Sequence, residues 1–262
     1  MRPEDLQQLQ VWFDSYVSGF CDLDPEGQRN IELKREHTLR VVDCMATIAA
    51  GEGLTEPHRL IASAVALLHD VGRFPQYRRW RTFRDSESDN HARLSLEVMR
   101  AEGVLQHLPA EEQLQIEEAV RFHNLLELPG QFASTTDHYI RLIRDADKLD
   151  IWRVFLEYYR LPEDQRASAV GLGFPDLPEV TPVCLAALSD GRIVRLEQAR
   201  VLNDFKLLQL SWVYDLNFAT TRRLLRERGY LEQLAATLPD SLAVRQAVQR
   251  AIAALQADTV HP

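Results

Sequence analysis

Apolar residues recur along this chain mainly at spacings of three and four, the period of an α-helix rather than the alternation of a strand. The pattern predicts helices over about 4–19, 31–50, 57–70, 91–105, 110–126, 137–160, 197–217, 219–235 and 240–257. Alternating runs rich in Val, Ile and Thr are nearly absent, so the expected fold class is all-α. Asp190-Gly191 has the chemistry of a hairpin turn, but Cys184–Leu188 makes a poor strand, and the segment reads as a turn between helices. Pro162, Gly171, Gly173, Pro175, Pro178 and Pro182 crowd into 161–183 and mark a boundary or a long surface loop. The expected organisation is therefore 1–160 as an N-terminal helix plus functional core, and 161–262 as a loop and helical extension packed on that core as one compact unit. In the extension, Phe205–Leu216 reads as an apolar helix with an acid inside it.

Composition sharpens this picture. Hydrophobic residues make up 45% and charged residues 26%, enough apolar surface to bury a core and too much for a disordered chain. No stretch approaches the ~20 apolar residues that span a bilayer. The opening MRPEDLQQLQ places acids where a signal peptide needs a basic and then an apolar region, so the expected location is cytoplasmic, with no membrane partner. The three cysteines, Cys21, Cys44 and Cys184, are too few for a disulfide framework or a four-thiolate site. A net charge of −9 disfavours a long nucleic acid as partner. One local exception is the cluster Arg73, Arg78, Arg79, Arg81 and Arg84, a rim of positive charge suited to a small anion.

Several polar residues stand on faces that the pattern buries. His37 opens the stripe Val41, Met45 and Ile48, after the charged run Glu32, Lys34, Arg35 and Glu36. Leu60–Leu68 is apolar almost all round, hence central, and it runs into His69-Asp70, followed by Val71 and Gly72, a residue able to terminate a helix. A carboxylate at the end of so buried an element requires a cationic partner, an arginine or a metal ion. Asp147 sits within a stripe of Ile140, Ile143, Ile151 and Val154, whereas Asp145 faces Leu142, Leu149 and Trp152; periodicity only mildly prefers Asp147. A salt bridge to Arg144 or Lys148 is the plain alternative for either acid. His91 follows Asp89-Asn90 and leads Leu94 and Val98; His123 ends a helix whose face is Ile116, Ala119 and Val120. His58, His107, His138 and His261 look like surface residues. Mixed imidazole and carboxylate donors suit Mn, Fe, Co, Ni or Zn better than Ca or Mg.

His37, then His69-Asp70, then Asp147 reproduce the ordered H…HD…D signature of the HD superfamily of metal-dependent phosphohydrolases, and the chain resembles that family over about 31–160. The resemblance implies an HD-domain helical bundle and makes Asp147, in DADKLD, the ligand of the two acids. His91 and His123 match the extra histidines of the two-metal branch. The implied cofactor is one or two divalent transition-metal ions, one on His37, His69, Asp70 and Asp147, the other on Asp70, His91 and His123. The implied activity is hydrolysis of a phosphate on a nucleotide or other small phosphorylated metabolite by a metal-activated hydroxide. Asp70 and Lys148 are then the catalytic candidates, and Arg73 and Lys148 the substrate contacts. The His-His-Glu and Gly-Tyr-Pro elements of the cyclic-di-GMP phosphodiesterase branch are missing, as is a synthetase partner of the stringent-response kind. Two other readings fit the same residues: a di-iron oxygenase of HD type, and a non-catalytic nucleotide-binding module. The tail is expected to pack on the core, line the pocket or form a homodimer interface.

Overall fold

The computed structural model describes residues 1–21, 24–130, 132–162 and 165–257, and among these every regular element is helical. The all-α expectation holds. In chain order the helices are α1 (Pro3–Ser18), α2 (Pro25–Gly51), α3 (Glu56–Leu68), α4 (Arg73–Trp80), α5 (His91–Ala101), α6 (Ala110–Phe122), α7 (Ser134–Arg160), α8 (Pro182–Ser189), α9 (Leu202–Ser211), α10 (Ala219–Arg228), α11 (Tyr230–Ala235) and α12 (Leu242–Gln256). They form two compact units: Met1–Ile151 with Glu163–Leu172, and Trp152–Pro162 with Gly173–Pro262. The division falls inside α7. His261 lies outside the described residues.

In the first unit α3 is the central element. Ile61, Ala62 and the run Ala64–Leu68 are all buried, as a helix apolar on every side must be. It packs against α1, α2 and α6, while α4 contacts α2 and α5, and α5 contacts α6. α2 starts six residues before the periodicity announces it. Asp24 caps it by accepting from Gly27 N at 2.9 Å, and Pro25 sits in the first turn, where its missing N–H costs nothing. The polar run PEGQRN hid this start because it carries no stripe.

α4 was not foreseen, since Pro75 and four charged or polar neighbours mask a helical pattern. Pro75 falls in the first turn, a position that tolerates it. Gly72 also departs from expectation. Its φ of −69° is an ordinary right-handed value, so it does not terminate α3 by adopting a left-handed conformation. Its role is contact distance: a Cβ there would lie 2.4 Å from Ser95 N and 2.6 Å from His91 O. Only glycine lets the start of α5 approach this closely. Ser95 Oγ joins the two segments by accepting from Gly72 N at 2.9 Å and donating to His69 O at 2.8 Å.

In the second unit the expected turn at Asp190-Gly191 is present, with Gly191 at φ +73°, and it follows α8, a helix that the pattern did not predict. Pro182 opens α8, and Cys184, Ala187 and Leu188 are buried. The segment expected as one helix over 197–217 is α9 followed by a 3₁₀ turn at Trp212–Asp215. α9 is buried at every position. Its N-terminus is held by Asp204, which accepts from the backbone N of Thr181, Arg200 and Val201 and from Thr181 Oγ1. The expected helix over 219–235 is broken into α10 and α11 by Gly229 at φ +59°, the left-handed stop favoured by glycine. Trp152 packs on Trp212 at 5.8 Å and donates Nε1–H to Gln209 O, a core role in this unit.

Candidate metal centre

Four imidazoles and two carboxylates from α2, the α3 terminus, α5, the α6 terminus and α7 converge in the first unit. Three overlapping groups have ligand-type atoms within 4.8 Å of one another: His37, His69 and Asp70; His69, His123 and Asp147; Asp70, His91 and His123. All four histidines and Asp70 are buried. Asp145 is also buried, but it belongs to none of these groups, in line with the periodicity that preferred Asp147.

Each histidine is oriented by a bond at Nδ1. His69 Nδ1 donates to Ala66 O at 2.7 Å, and His123 Nδ1 donates to Val120 O at 2.7 Å; a carbonyl only accepts, so these nitrogens carry the proton. His37 Nδ1 lies 2.7 Å from Asp150 Oδ2 and His91 Nδ1 2.6 Å from Asp85 Oδ2, both carboxylates. The tautomer so imposed leaves every Nε2 with a bare lone pair aimed inward. The two carbonyl partners belong to the preceding helical turns of α3 and α6, so they come with the helix ends on which His69 and His123 sit.

Three of the inward atoms find no hydrogen-bond partner in the protein. His37 Nε2, His69 Nε2 and Asp147 Oδ1 are buried without a hydrogen-bond partner, although His37 Nε2 and Asp147 Oδ1 are only 3.0 Å apart. His91 Nε2 and His123 Nε2 face each other at 3.1 Å. Lone pairs held this close require a cation between or beside them, either a proton or a metal ion. The donor set therefore fits a divalent metal, of a kind that the residues do not specify.

Charges around the cluster point the same way. Burial would raise the Asp70 carboxyl, but Lys34, His69 and Arg73 hold it well below the usual carboxylate range. Lys34 Nζ donates to Asp70 Oδ2 at 2.9 Å and Arg73 Nε to Asp70 Oδ1 at 3.3 Å. Burial, with His91 and His69 nearby, pushes His123 down to about 3, and burial likewise lowers His69 and His91. His37 goes the other way: Asp147 and Asp150 raise it despite burial and the Lys34 charge.

The remaining expected residues fall as follows. Lys148 is buried on α7, one residue after Asp147. Arg73 serves Asp70 and, through Nη1, the Phe83 carbonyl at 2.6 Å, Gln76 Oε1 at 2.9 Å and Asp85 Oδ1 at 3.0 Å. Beyond it, Arg78 binds the Gly19 carbonyl and covers the Phe20 ring, Arg81 pairs with Asp24, and Arg84 pairs with Glu87. Phe83 is buried beneath Lys34 and Arg73. Arg144 donates to the carbonyls of His123 and Leu125 and so ties the end of α6 to α7. His58 and His107 are exposed and His138 is half-buried.

Residue patterns missed three supports of the site: Asp150, Asp85 and Lys34. Asp150 was legible as the third acid of DADKLD, one turn beyond Asp147. Lys34 lies one turn before His37 on the same helical face, a spacing that the charged run disguised. Asp85 stands in the 3₁₀ turn Asp85–Glu87 between helices and carried no periodic signal.

A family model described as the HD domain matches residues 35–152. No curated protein and no solved structure matches the chain. Among the described residues, no helix is long and apolar enough to cross a membrane.

Proposed function

We propose that this chain, which carries an HD domain over residues 35–152, is a metal-dependent phosphohydrolase acting on a nucleotide or another small phosphorylated metabolite. The observation that carries the proposal is the convergence of four Nδ1-anchored imidazoles, with bare Nε2 atoms, on Asp70 and Asp147. In this reading His37, His69, Asp70 and Asp147 hold one ion, and Asp70, His91 and His123 hold a second. When bound, such ions lower the pKa of a water and place positive charge against the phosphate oxygens. Asp70 is suited to serve both: its Oδ2 faces His37 Nε2 at 3.8 Å and His69 Nε2 at 3.7 Å, and its Oδ1 faces His91 Nε2 at 3.7 Å. Asp150 and Asp85 keep the ring nitrogens of His37 and His91 oriented. Lys148 and Arg73 are the proposed phosphate contacts.

The test begins with metal analysis of protein purified without added metal, followed by a panel of phosphomonoesters, phosphodiesters and nucleotides. Turnover is expected to vanish on chelation, return with Mn or another transition metal, and fall in Asp147→Ala. Replacing Asp70 with Ala is expected to strip most of the metal, because it serves both positions. A metal-replete protein that leaves every phosphate compound intact overturns the proposal. Oxygen consumption by an iron-loaded sample would then assign the di-iron oxygenase reading, and nucleotide binding without turnover the non-catalytic one.

A further inference from the structure

Asp70, the carboxylate shared by both proposed ion positions, already carries a cationic side chain on each oxygen. The two cations differ in how they are held. Arg73 is a strut, with its donors also committed to Gln76, Asp85 and the Phe83 carbonyl. Lys34 has a single hydrogen-bonded partner, Asp70 Oδ2 at 2.9 Å, and otherwise rests over the Phe83 ring at 5.3 Å. Its side chain retains 14% exposure against 4% for Asp70, so it reaches the cluster from the solvent side on a flexible stem. The oxygen that it occupies is the one that faces the bare Nε2 atoms of His37 and His69.

We infer that Lys34 is a built-in counter-ion that couples metal binding to anion binding at this site: its ammonium stands in on Asp70 when metal is absent, opposes the incoming ion, and turns to the anion held beside that ion. The inference rests on the metal reading above and adds to it a residue that the family signature does not include. An ion ligated by Asp70 Oδ2 at ~2.1 Å lies within about 5 Å of the present Nζ position, because the two separations cannot sum to more. A monovalent cation at that range disfavours a divalent one unless negative charge arrives with it. An oxyanion on the metal supplies that charge and gives the displaced ammonium a new partner. Arg73 stays on Asp70 Oδ1, so removal of Lys34 takes the competing charge off Oδ2 while one cationic partner still holds the carboxylate.

The test titrates the metal-free full-length chain with Mn²⁺, reading free Mn²⁺ by electron paramagnetic resonance, with and without inorganic phosphate. Wild type, Lys34→Met and Lys34→Arg are compared. Without phosphate, Lys34→Met is expected to bind Mn²⁺ about tenfold more tightly than wild type, and Lys34→Arg to stay near wild type. Phosphate is expected to tighten Mn²⁺ binding in wild type by roughly 5-fold or more, and in Lys34→Met by clearly less. Equal affinity of Lys34→Met and wild type without phosphate overturns the inference, as does a phosphate effect that survives the substitution. Lys34→Gln is read by the same criteria should Lys34→Met melt at a lower temperature than wild type. Wild-type protein that takes up no Mn²⁺ removes the metal reading together with this one; wild-type uptake that Lys34→Met leaves unchanged removes this one alone.

Discussion

Asp150 and Asp85 act on the site through the imidazoles that they anchor, and so their removal should be felt as lost metal affinity rather than lost fold. Asp150 fixes His37 at 2.7 Å, and Asp85 fixes His91 at 2.6 Å. Partners of this kind typically contribute 10–100-fold in metal affinity. Asp150→Ala and Asp85→Ala are therefore each expected to weaken Mn²⁺ binding by about 10- to 100-fold. Isothermal titration on the metal-free chain checks this, and a change under twofold would show that the carboxylates are not orienting the rings. Asp85→Ala should affect mainly the position served by His91. Asp85 also accepts from Arg73 and Gln76, so this variant needs a melting curve beside the titration.

At the scale of elements, the site depends on how closely α5 approaches the turn after α3. Gly72 sets that approach, with the His91 carbonyl and the Ser95 amide where a Cβ would stand. Gly72→Ala must push α5 outward and carry His91 away from Asp70. Overpacking of this sort is expected to lower stability by about 3 kcal/mol, with the metal position proposed at Asp70, His91 and His123 lost together with it. Urea denaturation and metal stoichiometry report the two effects separately. Wild-type stability and full stoichiometry in this variant would show that the contact yields easily. Ser95→Ala removes only the bridge between Gly72 N and His69 O and should cost about 1 kcal/mol.

For the molecule as a whole, ligand-type groups gathered from separate helices would link stability to any metal that they bind. Metal held at ~1,000 times its dissociation constant would add about 4 kcal/mol to the unit that binds it. Chelation should therefore lower the melting temperature by on the order of 10 °C, reversed by Mn²⁺, in differential scanning calorimetry. A melting curve blind to chelator and metal would contradict a folded-state metal site. Acid should act on the metal-free chain in the same direction. His69, His91 and His123 lie below their ordinary value of 6.5 in the folded state, His123 at about 3, chiefly because burial opposes their charge. Between these folded values and 6.5 the unfolded chain binds more protons, so stability falls as pH drops through that window. His37, raised in the folded state, opposes this, because its contribution is present at low pH and is lost as pH rises through its folded value. Three lowered histidines against one raised give net loss, and urea midpoints in chelator should be lower at pH 5 than at pH 7.

The sequence by itself determined the all-α class, the central helix at Leu60–Leu68, and the inward faces bearing His37, His69, Asp70, His91, His123 and Asp147. These follow from local periodicity, because a helix that buries one stripe must carry its apolar residues every three or four positions. It also leaned mildly toward Asp147 over Asp145 through stripe membership, a preference that became a choice only with the family resemblance. Its failures share a cause. α4 and α8 each carry a proline in the first turn, a position that tolerates it for reasons that no apolar count registers. Gly72 was visible as a glycine, but its need for one is set by α5, whose arrival is a tertiary event. The orienting bonds of Asp150 and Asp85, and the hold of Lys34 on Asp70, join residues separated by 113, 6 and 36 positions. Periodicity describes how a segment faces the core. Which charged side chain meets which histidine depends on how helices are placed against one another, and only the tertiary structure decided that.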